Sequence, residues 1–145
     1  MRVFVIIAII ILFLIGVFYF ALPNKGADIR FKVIELSSSD GKSKIFIKKK
    51  VWGMTSDNQV VFISSSDDKE AMPDLIKDYI YKGLMPLLYR FQNDTLFIYT
   101  VLESPVPKEF KTNIKIVQIL LENPEILQLI EHENYKSKGL TVISE

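Results

Sequence analysis

An α+β protein, with an N-terminal transmembrane helix, a small mainly antiparallel β-sheet domain and one C-terminal helix at about 123–137, is what three features of this sequence predict. Val3–Leu22 is a run of twenty apolar residues without a charge. Beyond it, short alternating runs of β-branched and aromatic residues are punctuated by Ser, Gly, Asn and Asp clusters, the pattern of strands joined by turns. Near the C-terminus, Asn123-Pro124-Glu125 opens a stretch with helical apolar spacing.

The apolar run comes first. At about 1.5 Å per residue it makes a helix roughly 30 Å long, the thickness of a bilayer's hydrocarbon core. Its Ile, Leu, Phe and Val side chains favour insertion by several kcal/mol, and no charge opposes them. A secretory signal has a shorter apolar stretch and a small-x-small cleavage site; Ala21 has Tyr19 two positions before it, and Ala27 has Lys25. A buried core helix would carry a polar stripe, and none is visible. Tyr19 suits the headgroup level, while Gly16 lacks a small partner four residues away for a close-packed dimer. The sequence thus divides into a signal anchor at 1–23, a linker at 24–27 and one β-rich domain at 28–145. With only Met1 and Arg2 ahead of the run, the expected orientation is single-pass with the N-terminus inside and the body exported. Lys25, Arg30 and Lys32 after the span pull mildly the other way.

Composition bounds the rest. About 120 residues follow the anchor, enough for one ordinary domain. Charge is nearly balanced, net +1, which argues against a dedicated nucleic-acid binder, but it is uneven: net +5 up to Val60 and −4 beyond it. The absence of cysteine excludes disulfides and thiolate ligands and leaves the compartment open.

The domain's elements then follow in order. Asp28–Leu36 alternates Ile29, Phe31 and Val33 with Arg30 and Lys32, a strand with one buried face. Ser37–Ser43 is a turn, and Lys44–Trp52 alternates again, with Ile45, Ile47 and Val51 inside, interrupted by Lys49. This hairpin predicts an outer face of Arg30, Lys32, Lys44, Lys48 and Lys50. The residues between Pro23 and Ala27 reach at most about 18 Å, so that basic face is a candidate contact for anionic lipid or a partner. Its competing reading is a solvated face with edge-guarding lysines. After a loop at 53–58, Val60-Val61-Phe62-Ile63 is apolar on both faces and reads as a central strand. Trp52, at the end of its strand, is expected to plug the end of the core. Ser64–Glu70 is a polar loop, and Met72–Lys82 a turn or short helix begun by Asp74, passing into a strand at about Tyr79 that Gly83 stops.

Leu87–Thr100 is the best-specified hairpin. Taking Asn93-Asp94 as the turn pairs Phe91 with Leu96, Tyr89 with Ile98, Arg90 with Phe97 and Leu88 with Tyr99. Both faces are apolar, so both should be covered, with Arg90 stacked on its aromatic neighbours. Pro105 and Pro107 make 103–108 a connection. Asn113–Leu120 is a strand with Ile114, Ile116 and Gln118 on one face. The helix follows, capped by Asn123, with a stripe of Ile126, Leu127, Leu129 and Ile130, and Gly139 as its stop. Gly139–Ser144 closes as a strand.

Groups for chemistry are sparse. His132 is the sole histidine, so neither a zinc pair nor a triad away from the helix surface can be assembled; Asp67-Asp68 lack the spacing of a calcium loop. The expectation is no catalytic residue, no metal and no cofactor. Two readings of function stand. One is a membrane-anchored, non-catalytic accessory protein of the cell envelope that meets lipid or another envelope protein. The other is a small tethered hydrolase or sugar- or peptide-binding domain with a pocket at the aromatic hairpin Leu87–Thr100; Trp52, Arg90, Phe97 and Tyr99 are the candidate aromatic surface.

Overall fold

A computed structural model describes residues 29–53, 58–83 and 86–143. The predicted anchor and linker and most of the 53–58 loop lie outside the described residues. Among the described residues, eight strands form two four-stranded sheets. Sheet A is the antiparallel meander β1 (Arg30–Ser37), β2 (Lys44–Trp52), β3 (Asn58–Ser64) and β4 (Tyr79–Lys82), with β3 central as its two apolar faces require. Sheet B runs in the order β7 (Lys115–Leu120), β6 (Thr95–Thr100), β5 (Leu88–Gln92), β8 (Thr141–Val142). It departs from antiparallel pairing once, where β6 and β7 lie parallel. Parallel neighbours need a crossover of about a dozen residues or more, and residues 101–114 supply it without a helix.

That crossover stitches the two sheets together. Ser104 Oγ accepts the Ile80 N–H at the open edge of β4 (2.7 Å), and Glu109 N–H donates to the Ile76 carbonyl (2.9 Å). Phe110 packs edge-on to Tyr79, ring centres 5.1 Å apart. Between the sheets lies a core of Ile45, Ile47, Val61 and Ile63 from sheet A against Leu96 and Ile98 from sheet B. Each such side chain contributes roughly 1.5–3 kcal/mol on burial.

The β5–β6 register agrees with the sequence pair for pair, from Leu88 opposite Tyr99 to Phe91 opposite Leu96. Asn93 and Asp94 take φ of 50° and 51°, the left-handed pair of a type I′ turn. Asp94 also accepts the Ser39 N–H (2.7 Å) and Ser39 hydroxyl (2.6 Å), so the β5–β6 turn is bonded to the β1–β2 turn.

Two expectations about faces change. The β1–β2 register places Ile34 opposite Ile47 and Leu36 opposite Ile45, so Ile34 and Leu36 meet the core, while Phe31 and Val33 point to the outer face. The apolar alternation of β1 changes parity at Val33-Ile34, and a one-residue shift moves every side chain to the other face. At the C-terminus the helix is present but broken. Helix α1 spans Asn123–Ile130, a 3₁₀ turn Glu131–Glu133 follows, and α2 spans Asn134–Ser137. His132 and Glu133 adopt left-handed φ of 52° and 58° at the break, and Asn134 Nδ2 donates to the Gln128 carbonyl (2.9 Å), satisfying a terminal acceptor of α1. The N-cap is Glu122, one residue before the expected Asn123: its N–H donates to Glu125 Oε2 (2.8 Å), the return half of a capping box. Ile126, Leu129 and Ile130 pack beneath α1 against Leu88 and Tyr99, but Leu127 is 57% exposed and stands outside the stripe. Gly139, φ 65°, ends α2 as expected. Its N–H donates to the Lys136 carbonyl and Leu140 N–H to that of Tyr135, both at 3.0 Å, a Schellman stop that needs a left-handed residue.

Candidate functional site

The five basic residues predicted to share one face do not share it. Lys44, Lys48 and Lys50 alternate along β2 on the outer face of sheet A, beside Phe31 and Val33. Arg30 and Lys32 lie opposite Val51 and Lys49 on the other face. The physical reason is the same parity change in β1.

Nor is the outer face a solvated array of ammonium groups. The β3–β4 connection folds back across it. Lys48 is 0% exposed; its Nζ donates to the Asp68 carbonyl (2.6 Å) and stands 5.7 and 5.8 Å from the Phe62 and Phe46 ring centres. Lys50, also buried, reaches Met72 Sδ (2.8 Å) and lies between the rings of Phe31 (5.5 Å) and Trp52 (5.6 Å). Aromatic faces are negative, so cations held over them recover part of the hydration lost on burial. Burial pushes the Lys48 ammonium below its ordinary value, against the raising pull of the carboxylates of Asp78, Asp68 and Asp67. An amine with a lowered pKa suits a nucleophile, but this one is closed off from solvent on every side, so its part is structural. Lys44 is the exposed member: it pairs with Glu35 at 2.6 Å, which lowers the Glu35 carboxyl and raises the Lys44 ammonium.

The second predicted grouping also divides. Arg90, Phe97 and Tyr99 share the outer face of sheet B, the Arg90 guanidinium 5.1 Å from the Phe97 ring centre, the structural cation–π stack the sequence implied. Trp52 is on the outer face of sheet A, on the far side of the shared core, and packs beside Lys50 rather than plugging the core's end. The hairpin itself has sheet A against one face and α1 against part of the other.

Sequence reasoning missed a buried polar linkage. Gln118 Oε1 accepts the Tyr81 hydroxyl (2.8 Å) and the Ser104 N–H (2.8 Å), while its Nε2 donates to the Ser104 carbonyl (2.9 Å). Burial foremost, with Tyr79 and Glu103 nearby, raises the Tyr81 phenol well above its ordinary value. The signal available was a lone glutamine on the inward face of an apolar strand, which must find partners. Every bond of this group is internal, so it fixes the crossover to β7 and β4.

His132 is 84% exposed, and no group of three or more His, Cys, Asp or Glu converges among the described residues. Grooves remain. The largest described, about 1150 Å³, runs along the outer edge of sheet A over Phe31 and Phe46, rimmed by Lys42, Lys44, Asp67 and Glu70, with no convergent catalytic pair. Two others meet at the opposite end of the sandwich. One, about 510 Å³, includes Trp52, Pro73 and Leu75; the other, about 310 Å³, includes Leu75, Pro86 and Leu102. Compared with known proteins, the chain matches no family model, no curated protein and no solved structure.

Proposed function

We propose that this chain is a single-pass membrane protein whose exported two-sheet domain serves as a non-catalytic accessory or interaction module of the cell envelope. The observation that carries the reading is the twenty-residue apolar run Val3–Leu22, set about 18 Å or less of extended chain ahead of the domain. Support comes from how the domain uses its polar groups. The buried lysines bond to the β3–β4 connection, Gln118 to the crossover and Asp94 to the neighbouring turn. These are roles in holding shape, in keeping with a domain that works through its surface.

The full chain with a C-terminal tag tests this. Membranes washed with alkaline carbonate retain the protein in the pellet, and protease added outside spheroplasts removes the tag. Gentle solubilisation and pulldown then bring down a stoichiometric envelope protein. Release of the intact chain by carbonate overturns the anchor, and a tag protected from external protease overturns the orientation. Recovery of the chain alone overturns the interaction role.

A further inference from the structure

The two ends of the sandwich differ in chemistry. The turn end gathers Ser37–Ser43, Ser64–Asp68, the Asn93-Asp94 turn and the start of β7, held by the Ser39–Asp94 and Asn113–Ser43 hydrogen bonds. None of the exposed large apolar side chains of the described residues belongs to these segments. The other end is where residue 29 joins the domain. β1 begins at this end beside the end of β2, since Arg30 lies opposite Val51. The end of β4 joins it through the pairing of Val60 with Lys82, and the last residues of β6 and β7 through Thr100 opposite Leu120. Here Ile29, Leu75, Leu102 and Leu120 are all at least half exposed, Leu75 at 71% and Leu102 at 70%. Leu75 stands between the two grooves, which bring Trp52 and Leu102 to either side of it.

We propose that this end seats on the phospholipid surface of the bilayer that holds residues 3–22, with Leu75 and Leu102 entering the interfacial zone. The proposal rests on the anchored reading and adds a fixed orientation. Chain length decides the occupant: the six residues 23–28 between the apolar run and the point where residue 29 joins the domain reach at most about 22 Å, less than the roughly 26 Å over which the eight residues of β1 extend. The upright domain therefore cannot lift its tethered end clear of the headgroups by as much as its own height, nor present the polar turns to them. Apolar side chains with charges of both signs beside them, here Arg30 next to Ile29 and Lys82 and Glu103 along the grooves, suit the interface through burial rather than through attraction to anionic lipid.

Trp52 is the only tryptophan of the chain, so its emission reads this end alone. The full chain is reconstituted in phosphatidylcholine vesicles with and without brominated acyl chains, and retention through an alkaline wash verifies anchoring separately. Brominated lipid quenches Trp52, and raised salt leaves the quenching in place. The double variant Leu75→Glu, Leu102→Glu remains in the vesicle pellet with unchanged Tm, yet its quenching falls at least about twofold; Leu75→Phe, Leu102→Phe keeps it. An anchored chain without quenching, equal quenching in the glutamate variant, equal loss in the phenylalanine variant, or quenching abolished by salt each overturns the docking while leaving the anchor standing. A chain that washes off overturns the anchored reading and the docking together.

Discussion

Sheets A and B each give one face to the same core, yet their outer faces are closed by opposite chemistries. Sheet B is covered in part by α1, in the usual way, with Ile126 and Leu129 set on Leu88 and Tyr99. Sheet A is covered by the irregular β3–β4 connection, whose contacts to β2 run through two buried lysines, one on the Asp68 carbonyl and one on the Met72 sulfur. The difference teaches how a charged strand face can be buried. Lysine stems are apolar, and when each ammonium finds an acceptor and flanking aromatic faces, the layer closes without a second helix. A cover made of leucine stabilises through area; a cover made of lysine must first offset the loss of water around a charge.

The largest expected effect is on the apolar side. Ile126 is 0% exposed, so Ile126→Ala removes buried methyl groups and leaves a cavity beneath α1. Unfolding free energy falls by about 2–5 kcal/mol, measured by urea denaturation. A loss below about 1 kcal/mol would show that α1 collapses onto the gap and that its packing is no tighter than that of the irregular cover.

The charged side responds with the opposite sign. Lys48→Met keeps the length of the stem and removes the buried ammonium, while the Asp68 carbonyl on its exposed loop turns to water. Stability at neutral pH then rises by about 1 kcal/mol. The pH dependence identifies the cause. Folded Lys48 loses its proton below the ordinary 10.5 of the unfolded chain, so across the interval between the lowered value and 10.5 the unfolded state binds more protons. Wild-type stability gains with pH there through this group. The methionine variant lacks that gain, and its advantage shrinks as pH rises through the interval. A destabilised variant, or an advantage that does not change with pH, would mean that the contacts of the ammonium outweigh its desolvation.

Legibility in the sequence divides along the same line. The β5–β6 hairpin was readable to the residue because Asn93-Asp94 fixes the turn and both faces are apolar. The central place of β3 followed from Val60-Val61-Phe62-Ile63 alone. The basic face was not readable, for two separate reasons. In β1 the change of parity at Val33-Ile34 leaves two alternations competing, and only pairing with β2 decides between them. In β2, alternating lysines imply solvent unless a distant segment arrives to cover them, and nothing in the composition of 65–78 announces that it does. The break at His132-Glu133 was hidden because no glycine or proline marks it, although His and Asn are poor helix formers. The alternation of β7 puts Gln118 on its observed face, but its partners, Ser104 and Tyr81, come from the crossover and from the other sheet.

A smaller effect sharpens the comparison by separating the helix from its packing. Glu125 accepts the Glu122 N–H at the start of α1 and puts a negative charge at the positive end of the helix dipole. Glu125→Ala deletes both, at about 1 kcal/mol, and Glu125→Gln, which retains an acceptor but not the charge, recovers part of it. If sheet B owes its cover to buried area, the alanine variant stays well short of Ile126→Ala in urea denaturation, and part of its loss is screened by salt. Should the two variants cost the same, α1 would be held in place by its own first turn rather than by the sheet beneath it, and the apolar cover would depend on a few specific bonds as much as the lysine cover does.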